Sequence, residues 1–238
     1  MRGTAYVGTS GFGYATWAPL FYPRGTKPKD FLRVYATRLA SVESNYTFNA
    51  LPTEKALASW VAASPESFRF ALKASRRITH DTQLRDTTDS LPRFLDRVKA
   101  LEVRLGCVLF QTPPWLARDD ELLRSFLAAL PAGAPRAAFE FRNASWYDDA
   151  VFAILRERNA ALCTAEGERA PAPFTITAEF VYVRLRNKEE PYTRDSLAEW
   201  RARLASVLAD GKDAYVYLYH DELGQNAMMA IELAQALR

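Results

Sequence analysis

Five charged residues stand late in short apolar runs of this 238-residue chain, and their types suit work on an anion. Glu43 and Glu140 are carboxylates that can hold or move a proton. Lys73, Arg142 and Arg184 are cations, and arginine grips phosphate or carboxylate through two parallel N–H bonds. As a pair, the two glutamates read as an acid and a base, one titrating high because the other stays ionised. Barrel glycosidases usually carry such pairs after other strands, which makes glycoside hydrolysis unattractive. Lys73 supports two chemistries. Desolvated, it is an amine nucleophile towards carbonyls; beside glutamates it keeps its charge and clamps an anion, the reading favoured by its neighbours here.

Other residues offer recognition. Ser10 and Gly11 belong to the loop Gly8-Thr9-Ser10-Gly11-Phe12-Gly13, where glycines let backbone N–H groups approach a negative group. The loop has neither P-loop nor GxGxxG spacing, so a tight turn explains it equally well. Ser10 has a hydroxyl for a ligand but no base beside it in sequence. Asn45, Gln111 and Tyr217 share faces with the charged residues, and Trp146 follows Arg142 in a loop rich in aromatics. Phe12, Tyr14, Trp17, Tyr22, Tyr46, Phe48, Trp115 and Tyr147 fall in similar places. Rings beside cations suit stacking on nucleobases or sugars, and equally suit small cores that close long loops. The two histidines are His80 and His220. His80 reads as a proton carrier near the site or as a loop residue. Two histidines are a poor start for a transition-metal centre, and no metal ligands are assigned. Magnesium held through oxygen by Glu43, Glu140 and Asp221 is compatible with the residue types, though no spacing demands it.

Eight runs position these residues: Thr4–Ser10, Ala40–Asn45, Phe68–Lys73, Gly106–Gln111, Arg136–Arg142, Ala160–Glu166, Glu179–Arg186 and Asp213–His220. Each reads as a buried strand, in which alternate side chains point to opposite faces. Glu140 shares a face with Ala138 and Arg142, and Lys73 with Ala71, while Phe139, Phe141, Phe70 and Leu72 take the opposite face. Helical stretches follow most runs: Pro28–Leu39, Pro52–Ala63, Asp89–Leu105, Asp119–Leu130, Asp148–Asn159, Thr193–Ala209 and Gln225–Leu237. The pattern predicts the α/β class, as an irregular single-domain (β/α)8 TIM-type barrel across residues 1–238. Its sixth crossover is degenerate, because GERAPAPFTITA has two prolines and is too short for a helix with two loops. Apolar residues then face the helices and polar ones face inward. Inward charges cost several kcal/mol unless they pair or meet water. They are either a self-neutralising filling or a ligand site at the strand C-termini, and their late positions favour the site.

Composition narrows the class. Nearly half the residues are apolar, as in an ordinary globular protein. The net charge of +3 neither demands nor forbids a nucleic-acid partner. Cys107 and Cys163 sit in apolar runs without C-x-x-C spacing, so they read as core residues in a reducing cytoplasm. No apolar run approaches membrane-spanning length, and a strand begins almost at the first residue, so neither an anchor nor a signal peptide is expected.

The stretches VGTSGFGYATWAPLFYP, VESNYTFNALP, FRFALKASRRITH, LFQTPP, FEFRNASWY and FVYVRLR occur in that order. Together they resemble the signatures of the domain-of-unknown-function 72 (YecE-like) family over nearly the whole chain. The resemblance implies an irregular TIM-type barrel and supplies no reaction; phosphodiester or sugar chemistry follows only by analogy between folds. Two places depart from the usual pattern. Arg186-Asn187 stands where the family commonly has His-Gly, and Tyr219-His220-Asp221 where it usually has an Asn-Asn-Asp-like run.

The expectation for function is an enzyme acting on a phosphorylated, ring-bearing substrate, a nucleotide or a nucleic-acid end. Glu43, Lys73, Glu140 and His80 would carry the chemistry. Ser10, Gly11, Asn45, Gln111, Arg142, Trp146, Arg184 and Tyr217 would bind. Rival readings are a non-catalytic nucleic-acid-binding protein and a metal-dependent phosphoesterase. The expected partner is thus an anionic small molecule or nucleic acid, with no cofactor assigned and the oligomeric state undetermined.

Overall fold

Eight parallel strands form one sheet in a computed structural model that describes residues 1–167, 172–187 and 189–238. They are β1 (Ala5–Thr9), β2 (Ser41–Ser44), β3 (Arg69–Lys73), β4 (Leu105–Gln111), β5 (Arg136–Glu140), β6 (Ala161–Ala165), β7 (Phe180–Leu185) and β8 (Asp213–Leu218). Their order, β1-β8-β7-β6-β5-β4-β3-β2, is that of a barrel with its edges at β1 and β2. Around it lie α1 (Phe31–Ala36), α2 (Tyr46–Asn49), α3 (Glu54–Ala63), α4 (Ser90–Val98), α5 (Asp120–Ala129), α6 (Asp149–Glu157), α7 (Ala198–Ala209) and α8 (Gln225–Ala236). The chain is a TIM-type α/β barrel, nearly closed.

The period-two alternation decides what packs where. Val42, Phe70, Leu72, Val108, Phe110, Phe139, Val181, Val183, Val216 and Leu218 join the helices in the outer core. Ala71, Cys107, Leu109, Ala138, Cys163, Phe180, Tyr182, Tyr215 and Tyr217 fill the barrel interior. Both cysteines are free and buried, and burial pushes each thiol up. Tyr215 stacks on Tyr6 at 4.9 Å and Tyr182 contacts Tyr217 at 5.3 Å, so large rings occupy the axis below the polar layer.

Caps explain where several helices begin. Thr53 accepts from Ala56 N–H, Asp119 from Leu122 N–H and Asp148 from Ala150 N–H, which places each residue just outside its helix. Elsewhere the helices are shorter than the apolar periodicity suggests. Thr193 and Ser196 cap each other reciprocally in a turn, and the regular helix starts only at Ala198. The stretch Asp89–Leu105 divides into α4 and a 3₁₀ segment, Lys99–Arg104, in which Glu102 has φ 53°. Pro28–Asp30 is likewise a 3₁₀ turn before α1.

Between β6 and β7 no helix occurs among the described residues, and residues 168–171 of that crossover lie outside them. An extended segment covers β6 instead. Thr177 donates to Ala160 C=O and accepts from Leu162 N–H, and Thr164 donates to Pro173 C=O. The sheet stays paired there, Cys163 aligning with Tyr182. The discontinuity lies between β1 and β2, which share a single bridge, Ser10 to Glu43. Tyr35 of α1 fills that seam: its hydroxyl accepts from Thr9 N–H at 2.8 Å and donates to Ser41 C=O at 3.0 Å. Gly8 permits the approach, since a Cβ there would meet Ser41 O at 1.9 Å. No helix among the described residues is long and apolar enough to cross a membrane.

Candidate functional site

At the C-terminal ends of β2, β5 and β7, Glu43, Glu140 and Arg184 point inward and meet. Arg184 donates from Nη2 to Glu43 Oε1 at 2.7 Å and from Nη1 to Glu140 Oε2. All three are buried. Burying these ions is expensive, and what makes it tolerable is that nearly every remaining polar atom finds a partner. Tyr182 donates to Glu43 Oε2 at 2.8 Å and Asn45 to Glu43 Oε1 at 3.2 Å. Gln111 donates to Glu140 Oε1 at 2.7 Å, and Arg142 reaches the same oxygen at 3.1 Å. Burial alone would raise the Glu140 carboxyl; the charges of Arg184 and Arg142 prevail and hold it down to about 2. The acid of a glutamate pair cannot be Glu140 near neutral pH.

Above this layer lies the barrel mouth. Lys73, the last residue of β3, sets its Nζ 3.8 Å from the centre of the Phe48 ring. Phe48 is held there by α2, which the apolar pattern misses because it is one turn long. Thr47 of the same turn donates to Lys73 C=O at 2.6 Å and ties α2 to the strand end. Among the described residues no carboxylate forms an ion pair with Lys73. Burial, and after it the charge of Arg184, lowers its amine from 10.5 to about 8.

His80 sits in a π-helical turn, Arg77–Asp81, edge-on to Phe48 at 4.9 Å and to exposed Trp115 at 6.3 Å. Its Nδ1 is 2.9 Å from Thr79 Oγ1. Burial and the neighbouring charges of Lys73 and Arg76 lower it to about 4, so its imidazole is neutral near pH 7 and able to accept a proton.

On the opposite rim, Ser10 Oγ lies 3.2 Å from Nδ1 of His220. The sequence separates these residues widely, but β1 and β8 are neighbours in the sheet, so closure of a barrel is the signal that would have paired them. Tyr14 stacks on His220 with centroids 4.7 Å apart and donates to Ser10 C=O. Gly11, at φ 100°, turns its N–H onto Glu43 C=O at 2.9 Å, which closes the seam at this end. That N–H is therefore engaged with the backbone.

The structure thus gathers Ser10, Gly11, Glu43, Asn45, Lys73, His80, Gln111, Glu140, Arg142 and Arg184 at one end of the barrel. Two expected ligand contacts lie elsewhere. Trp146 is wholly buried, stacked on Phe141 at 4.5 Å with its indole N–H on Leu116 C=O. Tyr217 is sealed below the mouth, its hydroxyl 2.6 Å from Ser41 Oγ. Arg184, for its part, is turned to the two glutamates and not to the opening. Asp221 accepts from Leu223, Gln225 and Asn226 N–H at the start of α8 and does not join Glu43 and Glu140. No group of three or more metal-ligating side chains occurs among the described residues. Tyr14, Phe48, Asn45 and Arg142 remain half-buried around the opening, with Trp115 exposed. A hollow of about 470 Å³ between α7 and α8, lined by Arg194, Met229 and Glu232 among others, lies on the flank away from this mouth.

Known proteins agree with this architecture. A DUF72 family protein from Thermotoga maritima MSB8 superposes with a TM-score of 0.79 at 24% identity, covering 98% of this chain and 99% of that one. A second, from Enterococcus faecalis V583, gives 0.77 at 20% identity, with 98% and 95% covered. At these identities the likeness concerns the fold. The UPF0759 protein YunF of Bacillus subtilis (strain 168) is 27% identical over 169 residues, which are 68% of this chain. The matched stretch spans only 57% of that relative's length. The family model described as "Protein of unknown function DUF72" matches residues 6–238, and by that match, with the barrel and the ordered motifs, this chain belongs to the DUF72 family.

Proposed function

We propose that the barrel mouth binds a phosphorylated, ring-bearing ligand, a nucleotide or the end of a nucleic-acid strand, and that the protein is an enzyme acting on it. One observation carries the reading. Among the described residues Glu43 and Glu140 are met by Arg184 and Arg142, and no carboxylate pairs with Lys73, which leaves its amine a cation without a counter-ion at an opening of low dielectric. An anion is the partner that such a site lacks. Arg142, half-buried at the rim with its Nε on Glu140, brings a second cation to the opening, while Arg184 holds the layer beneath it. Trp115, Tyr14 and Phe48 offer ring faces around the same opening. Lys73 is the group here that titrates nearest neutral pH and can donate, whereas His80 rests as a neutral imidazole and Glu140 as a carboxylate.

The test is a fluorescence-anisotropy titration with labelled single-stranded DNA, duplex DNA and RNA at two salt concentrations, with mononucleotides as competitors. Binding that mononucleotides displace, and that Arg142→Gln weakens, is the expected result. A steep salt dependence without turnover, unchanged in Glu140→Gln, favours a non-catalytic nucleic-acid-binding protein. Failure of every phosphorylated probe to bind overturns the reading.

A further inference from the structure

Lysine at a barrel mouth ordinarily stays charged because carboxylates sit against it. Lys73 lacks that arrangement. The buried carboxylates near it, Glu43 and Glu140, are both engaged by Arg184, and what lies under its Nζ is the Phe48 ring at 3.8 Å. Among the described residues the charged or titratable groups facing it are Glu43 from β2, Glu140 from β5 and Arg142 just beyond it, Arg184 from β7, and His80 from the turn that follows β3. Desolvation and neighbouring guanidinium groups, prevailing over the pull of the ring face on the cation, are what let a lysine lose its proton and become a nucleophile. The direction of its titration agrees: at about 8 an appreciable fraction is neutral near physiological pH.

We infer that Lys73 is an amine nucleophile that forms an imine with an aldehyde or ketone whose phosphate is seated by Arg142. The inference rests on the anion-binding reading above and deepens it, because it names the reacting group of the ligand as a carbonyl. In the step, the Nζ lone pair attacks the carbonyl carbon and a C–N bond forms. The carbonyl π pair moves to oxygen, which takes a proton. A second proton carries that oxygen away as water while nitrogen gives up both of its hydrogens, which match the two protons taken by oxygen, leaving C=N. Amine plus carbonyl gives imine plus water, with no oxidant or reductant consumed. Neutral His80, beside the same Phe48 ring, is the group placed to relay protons in carbinolamine breakdown.

The experiment treats the whole protein with pyridoxal 5′-phosphate, a ring-bearing phosphorylated aldehyde, and fixes any imine with sodium cyanoborohydride. Peptide mass mapping then ranks the seven lysines by labelling rate. At about pH 7.5 Lys73 is expected to label about tenfold faster than any other lysine, because far more of it is neutral. Its rate should rise with pH and level off above about 8, and inorganic phosphate should slow Lys73 alone. Lys73→Arg, with its fold verified by circular dichroism, should lose the preferred label. Because mapping is done on the native chain, no variant has to fold for the result to count. Labelling of Lys73 no faster than the exposed lysines, while nucleotide or phosphate still binds by calorimetry, overturns the imine and leaves the anion site standing. Absence of both labelling and anion binding overturns the two together.

Discussion

Arg184 donates one guanidinium nitrogen to Glu43 and another to Glu140, so a single side chain on β7 joins β2 to β5 across the barrel. This cross-tie lies directly under the mouth. Its neutrality requires Arg142, whose Nε also reaches Glu140. The polar layer is thereby both the floor of the site and a fastening between distant strands.

Removing the tie should be costly. Arg184→Met leaves two buried carboxylates without their shared cation, and the loss should be about 3–5 kcal/mol in a urea titration. Adding Glu43→Gln and Glu140→Gln to it should recover much of that loss, since no unpaired ion is then left inside. A variant as stable as the parent would show that the layer is water-filled and not a tie.

Acid sensitivity follows from Glu140 and from the two histidines. Glu140 is held below its ordinary value of 4.5, at about 2, so the stability it confers is complete above the unfolded value and disappears as pH falls from 4.5 towards 2. His80 is depressed from 6.5 to about 4. Between those values the unfolded chain binds the extra proton, so stability again falls on acidification. Denaturant midpoints should therefore decline from about pH 6.5 downward, and His80→Asn should make the upper part of the curve shallower without altering the lower part. His220, which burial also lowers from 6.5, keeps the remaining slope.

An anion that relieves the excess charge should stabilise the fold. A nucleotide at about 100 times its dissociation constant adds about 2.7 kcal/mol by mass action, a shift of several degrees in thermal unfolding. Arg142→Gln should weaken the affinity about tenfold or more, because a charge-assisted phosphate contact is lost. An equal thermal shift in parent and variant would remove Arg142 from the site.

The seam offers a separate check. Tyr35→Phe deletes one hydroxyl and leaves Thr9 N–H and Ser41 C=O without a buried partner, at a cost of about 1–3 kcal/mol. Amide exchange at Thr9 should quicken in that variant more than exchange at Val216 of the neighbouring strand. Gly8→Ala should be worse, since its methyl would collide with Ser41 O.

Alternation along each strand was legible because a barrel separates an apolar outside from a polar mouth. For that reason Glu43, Lys73, Gln111, Glu140, Arg142 and Arg184 could be assigned to one face before any pairing was known. Which of them pair is a matter of ring closure, and no local pattern records that Arg184 takes both glutamates and frees Lys73 from them. The Ser10–His220 contact belongs to the same class, since it depends on the first and last strands being neighbours. Trp146 shows a different limit. A loop tryptophan that stacks on Phe141 and one that stacks on a ligand have the same sequence signature. Short turns such as α2 and the π turn at His80 lack enough residues to show a period, yet they set the Lys73 amine on its ring.

The seam between β1 and β2 makes this barrel a hoop with a latch. Elsewhere around the ring, adjacent strands share ladders of between two and six aligned pairs, but here one bridge, one N–H and one tyrosine hydroxyl do the fastening. A hoop under load parts at its latch, so mechanical or thermal opening should start between Ser10 and Glu43. Those residues flank the mouth. The first displacement to open the ring would therefore also pull the two lips of the site apart, which makes the integrity of the hoop and the shape of the opening a single mechanical variable.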